Sequence, residues 1–321
     1  MFFKKNKIIE RNFLAISNVS RNLLLSFFGL FLNYLLLRTK DLEILNTYVY
    51  FISAIGLLYI FINWGGKFYN TKEISNNPKD YRPFISSLFS SKILLLLFFI
   101  ILFLFMPIQK DIKLFIIPFL LLKSLVPIFD SLILFRKKSK IILLLEVVFY
   151  TAFLCLLYFF PDKFSSTSFI ASLLILETLK TVTYFIYFRN DFKLNISLTN
   201  GIKVLKNSIY YFGLSLAGFL ASKSDLYIVG ILIDKETMSY YFVLSNLLNL
   251  SMLVYASFIN TFETSIYRFN SSLFRKIEKN LKYFGLIFSI IATIIFYLIA
   301  VYFYKINVDM KLTIMFLLNI F

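Results

Sequence analysis

Residues 83–106 read PFISSLFSSKILLLLFFIILFLFM, an apolar run of the length that a helix needs to cross about 30 Å of hydrocarbon. Similar runs recur along the whole chain, and the last one is still open where the sequence stops. Inside lipid every backbone polar group must be satisfied within the structure, so each run predicts a transmembrane helix. The sequence therefore predicts an all-α, polytopic membrane protein with about ten spans. The predicted spans lie near residues 13–37, 44–65, 83–106, 114–135, 141–160, 168–188, 207–232, 239–262, 283–304 and 312–321.

Basic residues concentrate in alternate loops between these spans. The chain has 34 Lys and Arg residues and a net charge of +17. The amino-terminal tail and the second, fourth, sixth and eighth loops hold 21 of the basic residues, whereas the opposite loops hold eight. Short loops rich in Lys and Arg stay in the cytoplasm, so the pattern predicts a cytoplasmic amino terminus. On this interpretation the positive charge sets the orientation of the chain in the membrane, and it can also contact anionic lipid headgroups. It does not indicate nucleic-acid binding.

Composition excludes several other classes of protein. Hydrophobic residues make up 59% of the chain, which is too many for an ordinary soluble domain. There is no histidine, so we expect no histidine-based metal site or proton relay, and no cofactor is predicted. The one cysteine, Cys155, falls inside the fifth predicted span, where it has no partner for a disulfide and is expected to pack.

The loops are too short to fold as separate domains. The largest predicted cytoplasmic connections are 66–82 and 189–206, and the outer loops have only a few residues. Membrane enzymes that act on lipid-linked sugars usually work through a sizeable loop or domain outside the membrane. The short loops therefore argue against an enzyme.

The chain also shows a weak internal repeat. The second span begins YVYF at residues 48–51, and the eighth begins YYFV at residues 240–243, six spans later. Two six-helix halves in the same orientation would be parallel repeats about an axis along the membrane normal. The predicted halves are an amino-terminal six-helix bundle at 1–206 and a carboxy-terminal bundle at 207–321 that is incomplete, with about four helices.

The fourth span carries both charges and prolines. An ionisable group at membrane depth is costly, and it is therefore a candidate functional residue. Lys123 and Asp130 are seven residues apart, so they share a helix face about 10 Å apart along the axis. Pro118 and Pro127 can kink the helix, and a broken helix bearing charges is typical of transporter midplane sites. The alternative is a kinked packing helix in which Lys123 snorkels or pairs with a neighbour.

Two further spans carry one cation and one carboxylate each. Glu177 and Lys180 are three residues apart in the sixth span, so they can pair on one face as a structural pair or a transport site. Lys223 and Asp225 are two apart in the seventh span and point to nearly opposite faces, so each needs a partner from another helix or from water.

Three more ionisable residues lie within predicted spans. Arg21 in the first span can bind phosphate in a bidentate manner or snorkel to the interface, and snorkelling is also expected of Lys92. Glu146 lies near the start of the fifth span, where it can complement the helix dipole. Together the spans hold five cations and four carboxylates, which favours a hydrated cavity for an anionic cargo over a purely structural bundle.

The segment at residues 214–241, LSLAGFLASKSDLYIVGILIDKETMSYY, resembles the seventh span and following loop of a known transporter family. The family is the polysaccharide (Wzx-type) flippases of the multidrug/oligosaccharidyl-lipid/polysaccharide exporter superfamily. Its pattern has an early Ser, then a basic residue, an Asp, an apolar run and a Tyr that opens the next span. The matching residues are Ser215, Lys223, Asp225, Gly230, Tyr240 and Tyr241. The amino-terminal part is similar too, with NTY at 46–48 and two glycines at 65–66.

The resemblance implies a MATE-like fold of two six-helix bundles around a central cavity. It implies that the chain flips undecaprenyl-diphosphate-linked oligosaccharide across the bacterial inner membrane for O-antigen or capsule assembly, by alternating access coupled to a gradient of Na⁺ or H⁺. Membrane lipids and the glycan polymerase machinery would be partners. Members usually have twelve or more spans, so a carboxy-terminally truncated member is expected. The expected diphosphate-binding residues are Arg21, Lys123, Lys180 and Lys223, and the expected ion-coupling residues are Asp130, Asp225 and Glu177.

Two alternative functions stay open. One is a cation-coupled multidrug exporter of the same superfamily, which would favour organic cations and fits the excess of intramembrane lysines less well. The other is a membrane-embedded glycan polymerase or ligase, which the short outer loops disfavour.

Overall fold

A computed structural model describes residues 2–38, 42–76, 81–104, 110–192, 195–232, 239–249 and 271–304. Within these ranges the chain forms helices joined by short turns, and no strand is present among them. The helices are α1 (Phe2–Arg38), α2 (Leu42–Asn63), α3 (Gly66–Asn76), α4 (Tyr81–Leu104), α5 (Lys110–Phe135), α6 (Ser139–Phe159), α7 (Ser166–Tyr187), α8 (Leu198–Leu232), α9 (residues 239–249) and α10 (Ser271–Leu298). Short 3₁₀ turns follow α6 and α7 at Pro161–Lys163 and Arg189–Asp191, and a π-helical turn follows α10 at Ile299–Phe303.

Seven helical segments of the described chain are long and apolar enough to cross a membrane, which indicates a multi-pass membrane protein. Of the other three predicted spans, 207–232 lies within α8, which is not among the seven. The span 239–262 is described only as far as residue 249, and 312–321 lies outside the described residues. The seven segments are Ser20–Arg38, Glu43–Asn76, Tyr81–Ile101, Leu114–Phe135, Ser139–Phe159, Ser166–Tyr187 and Gly285–Tyr302.

The chain divides into two compact units. The larger unit is Glu43–Ile233, and the smaller unit combines Met1–Leu42 with Asp234–Phe321. These two units are defined by the contacts between residues. The division at residue 206 was predicted from the sequence repeat, which is a different criterion, and it stays a prediction.

Helix α5 lies at the centre of the larger unit, where it packs against α3, α4, α6 and α7, while α8 packs on α4 and α3. Ile128 and Phe129 of α5 are buried in the main apolar cluster together with Leu88 of α4 and Tyr184 of α7. The apolar packing between these helices sets their positions along one another, and so determines which charged residues of α5, α6 and α7 lie at the same level.

The smaller unit has a separate apolar cluster. Leu30 of α1 packs with Val243 of α9 and Phe296 of α10. The Tyr304 hydroxyl, just after the π-helical turn, donates to the carbonyl of Leu30 at 2.8 Å. This bond gives the buried phenol its partner and ties the end of α10 to α1.

A sharp break separates α2 from α3. Trp64 and Gly65 have φ values of 49° and 66°, in the left-handed region that ends a helix. The following connection, 66–82, was expected to be a loop, but it contains α3. Gly66, Asn70 and Ile74, spaced four residues apart, are buried on one face of α3, and α3 packs against α5 and α8.

Trp64 contacts α8 through both its ring and its indole nitrogen. Its ring stacks on Phe212 of α8 with 4.1 Å between ring centroids, and its indole nitrogen donates to the Leu205 carbonyl at 3.0 Å. The end of α2 is therefore fastened to α8 by packing and by a hydrogen bond.

Candidate functional site

A charged cluster lies near the middle of three apolar helices of the larger unit. α5 contributes Lys123, α6 contributes Tyr150, and α7 contributes Glu177 and Lys180. All four positions fall close to the centres of the segments Leu114–Phe135, Ser139–Phe159 and Ser166–Tyr187. The side chains therefore meet far from either end of the helices that carry them.

Glu177 links the two lysines of this cluster. The Lys123 ammonium donates to Glu177 Oε1 at 2.7 Å, and the Lys180 ammonium lies 2.8 Å from Glu177 Oε2. Lys180 also donates to the Tyr150 hydroxyl at 3.0 Å. The predicted i,i+3 pairing of Glu177 with Lys180 is confirmed. The sequence did not indicate that Lys123 would share the same carboxylate.

The two lysines differ in access. The Lys123 side chain is 28% exposed, whereas those of Glu177 and Lys180 are 9% and 5% exposed. The Lys123 ammonium lies 5.3 Å from the centroid of the Phe119 ring, which supports the cation without supplying a negative charge. Two lysines share one carboxylate, so this trio carries one net positive charge, and Lys123 is its accessible member.

The carboxylates of Asp130 and Glu146 are placed differently. Asp130 lies two turns beyond Lys123 on α5, about 10 Å along the axis, and it is partly buried. Glu146 of α6 is fully buried and accepts a hydrogen bond from the hydroxyl of Tyr184 on α7. Glu146 thus joins two helices, which is a role beyond the dipole complementation that its position predicted.

The remaining candidate residues lie elsewhere. Lys223 and Asp225 are on α8, the former partly buried and the latter exposed. Arg21 is buried on α1, in the smaller unit. The structure therefore brings together Lys123, Lys180 and Glu177. The roles of the other four candidates stay predictions.

Lys92 corrects an expectation from the sequence. It was expected to snorkel, but its side chain is buried on α4 and donates to the carbonyls of Ile62 and Asn63 at 3.0 and 2.6 Å. The ammonium therefore caps the carboxy-terminal end of α2.

A second polar cluster joins the ends of three helical segments. Arg136, just after α5, and Tyr81, at the start of α4, both donate to the carboxylate of Asp191, which follows α7. The hydrogen bond to Asp191 raises the pKa of the Arg136 guanidinium above its ordinary value, so this pair stays ionic. Its location at helix ends, outside the apolar segments, suits a structural tie.

Within the described ranges, no group of three or more His, Cys, Asp and Glu side chains is placed to hold a metal ion. The chain matches no family model, and comparison with curated proteins and with solved structures finds no match. The described part of the chain is thus all-helical, with seven apolar segments long enough to cross a membrane and a lysine-rich charged cluster near the middle of three of them.

Proposed function

We propose that this chain is a membrane transporter that flips an undecaprenyl-diphosphate-linked oligosaccharide across the bacterial inner membrane. The observation that carries the proposal is the trio of Lys123, Lys180 and Glu177 near the middle of α5 and α7. A charged cluster among apolar helices is costly, so a purely structural bundle has little reason to keep one. An anionic cargo offers the accessible Lys123 a further counter-charge.

Lys123 is the residue proposed to meet the diphosphate first. An ammonium group has three N–H donors, and Glu177 accepts one from Lys123, so the others can face an anionic group. Hydrogen bonds between ammonium and phosphate oxygens are charge-assisted and roughly twice as strong as neutral ones. Lys180 is nearly enclosed, and its contacts with Glu177 and Tyr150 hold it behind Lys123.

The shared carboxylate also suggests how cargo and coupling ion are linked. When a phosphate oxygen takes the place of Glu177 beside Lys123, the carboxylate loses one of its two counter-charges. Glu177 then becomes a better acceptor for H⁺ or Na⁺, and binding of that ion restores its charge balance. In this scheme the diphosphate and the ion are bound together, the diphosphate at Lys123 and the ion at Glu177, and alternating access moves the loaded site.

Complementation of a strain that lacks this gene tests the proposal. Lys123→Met is expected to reduce release of the lipid-linked oligosaccharide by roughly 10–100-fold, which corresponds to one charge-assisted hydrogen bond of about 1.5–3 kcal/mol. The measured quantities are surface glycan and lipid-linked oligosaccharide retained on the inner leaflet. Lys203→Met is the matched control, because Lys203 is an exposed lysine of α8 outside the charged cluster.

Three outcomes have different meanings. Retention of the intermediate with Lys123→Met, and release with Lys203→Met, supports the proposal. Equal release by both variants removes Lys123 from the binding site. No accumulation of the intermediate in the deletion strain rejects oligosaccharide flipping altogether.

A further inference from the structure

The break between α2 and α3 leaves backbone carbonyl oxygens at the end of α2 without helical partners. The last four carbonyls of a helix lack intrahelical partners, and α2 ends at Asn63. Trp64 and Gly65 then take left-handed conformations, so the chain turns before α3 starts at Gly66. The carbonyls of Ile62 and Asn63 therefore need a partner that the α2–α3 backbone does not provide.

Lys92 is that partner. Its ammonium lies 3.0 Å from the Ile62 oxygen and 2.6 Å from the Asn63 oxygen, and its side chain is only 3% exposed. Within the described part of the chain, no carboxylate forms an ion pair with Lys92. The positive charge is thus held by carbonyl dipoles at a helix carboxy terminus, which is an arrangement that favours cations.

Two asparagines complete the surroundings of the ammonium. The side-chain oxygen of Asn63 and both side-chain polar atoms of Asn70 are buried, with no hydrogen-bond partner among the described residues. A methyl group on Gly66 would lie 3.1 Å from Asn63 Oδ1, 3.2 Å from Lys92 Nζ and 3.5 Å from Asn70 Nδ2. These three atoms therefore lie close to one another beside Gly66, and a flip of the Asn70 amide would place its oxygen there instead of its nitrogen.

We propose that this break is a binding site for a monovalent cation, and that the chain fills it with the ammonium of Lys92. The ligands are the backbone carbonyls of Ile62 and Asn63, and the side-chain amides of Asn63 and Asn70 lie close by. Carbonyl oxygens coordinate K⁺ in channels, and the carboxy-terminal ends of broken helices coordinate Na⁺ in transporters. The ammonium is a covalently attached equivalent of such an ion. The inference does not depend on what the chain transports.

A matched pair of variants tests the site. Lys92→Ala removes the ammonium and leaves space where it lay, so a free Na⁺ or K⁺ can take its position. Lys92→Met also removes the charge, but its side chain fills the space with apolar atoms. Only the alanine variant should regain stability from added cations.

The readout is the melting temperature of the full-length purified protein in NaCl, KCl or choline chloride at equal ionic strength. Choline is too large for a site of single-atom size. We expect Na⁺ or K⁺ to raise the melting temperature of Lys92→Ala by about 5–10 °C relative to choline at saturating concentration. The wild-type protein and Lys92→Met should melt at the same temperature in all three salts.

Several results would overturn the inference. One is a melting temperature of Lys92→Ala that is equal in all three salts, and another is the same salt effect in Lys92→Met. Lys92→Ser serves as a second open variant, since its hydroxyl can add a ligand. Absence of folded Lys92→Ala and Lys92→Ser after extraction in NaCl also overturns it, because the potassium of the cell should have filled the site.

Discussion

Substitution of Gly65 by alanine should strongly destabilise the larger unit. Gly65 has a φ of 66°, and an alanine held there costs about 1–2 kcal/mol of backbone strain. Its methyl carbon would lie 2.4–2.6 Å from backbone atoms of Tyr211 and Phe212 in α8, well inside the usual carbon contact distance of about 3.5–4.0 Å. These neighbours are main-chain atoms, so no side chain can rotate away.

Relief of this overlap requires α8 to move away from the α2–α3 break. That movement disturbs the stacking of Trp64 on Phe212 and the hydrogen bond from Trp64 to the Leu205 carbonyl, each worth about 0.5–1.5 kcal/mol. The strain and the lost contacts together give about 2–5 kcal/mol. For a unit of this size, the expected fall in melting temperature is roughly 10 °C.

Thermal unfolding of the purified variants measures this effect, and α8 supplies the controls. A methyl group on Gly213 or Gly218 would meet no atom within 4 Å, so alanine there should be neutral or raise stability by up to about 1 kcal/mol. A Gly65→Ala protein that melts within about 2 °C of the wild type would refute the close approach of α8 to the break.

Three further predictions concern other parts of the structure. Glu177→Gln leaves Lys123 and Lys180 without their shared counter-charge and should cost about 3–5 kcal/mol in denaturant unfolding, whereas Glu43→Gln, at an exposed position, should change little. Tyr304→Phe removes the hydrogen bond to the Leu30 carbonyl and should cost about 1 kcal/mol; Tyr302→Phe, at a 75% exposed residue, is the control. In a Cys155→Ser background, which has no cysteine, an impermeant maleimide added to intact cells should label Lys163→Cys and spare Lys138→Cys. The opposite labelling would reverse the predicted orientation.

Local patterns in the sequence were enough to predict the seven membrane-length segments of the described chain and one contact of the site, although not α3. Apolar runs of about 20 residues specify helices because lipid leaves the backbone no other way to form its hydrogen bonds. The Glu177–Lys180 pair was predictable because residues three apart lie on one helical face. Both inferences depend on spacing within a single helix.

The contacts between helices were not predictable in this way. Lys123 reaches Glu177 because α5 and α7 pack side by side, and no spacing in the sequence indicates that packing. The position of Lys92 likewise depends on α4 passing the end of α2. A partial signal existed, since the glycines at 65 and 66 are typical of a helix end whose carbonyls need a cation or a turn to satisfy them.

Lys92 of α4 and Lys123 of α5 show why a count of intramembrane charges is a poor guide to function. Lys92 is satisfied by carbonyl dipoles of α2, so its charge is used to stabilise a helix break. Lys123 faces a carboxylate that Lys180 also uses, and it is partly exposed, so its charge is only partly satisfied. A cation whose charge is already balanced inside the fold gains little free energy from binding an anionic substrate. On this argument Lys123 is the better candidate for contact with an anionic cargo, and Lys92 belongs to the scaffold that holds α2, α3 and α8 in place.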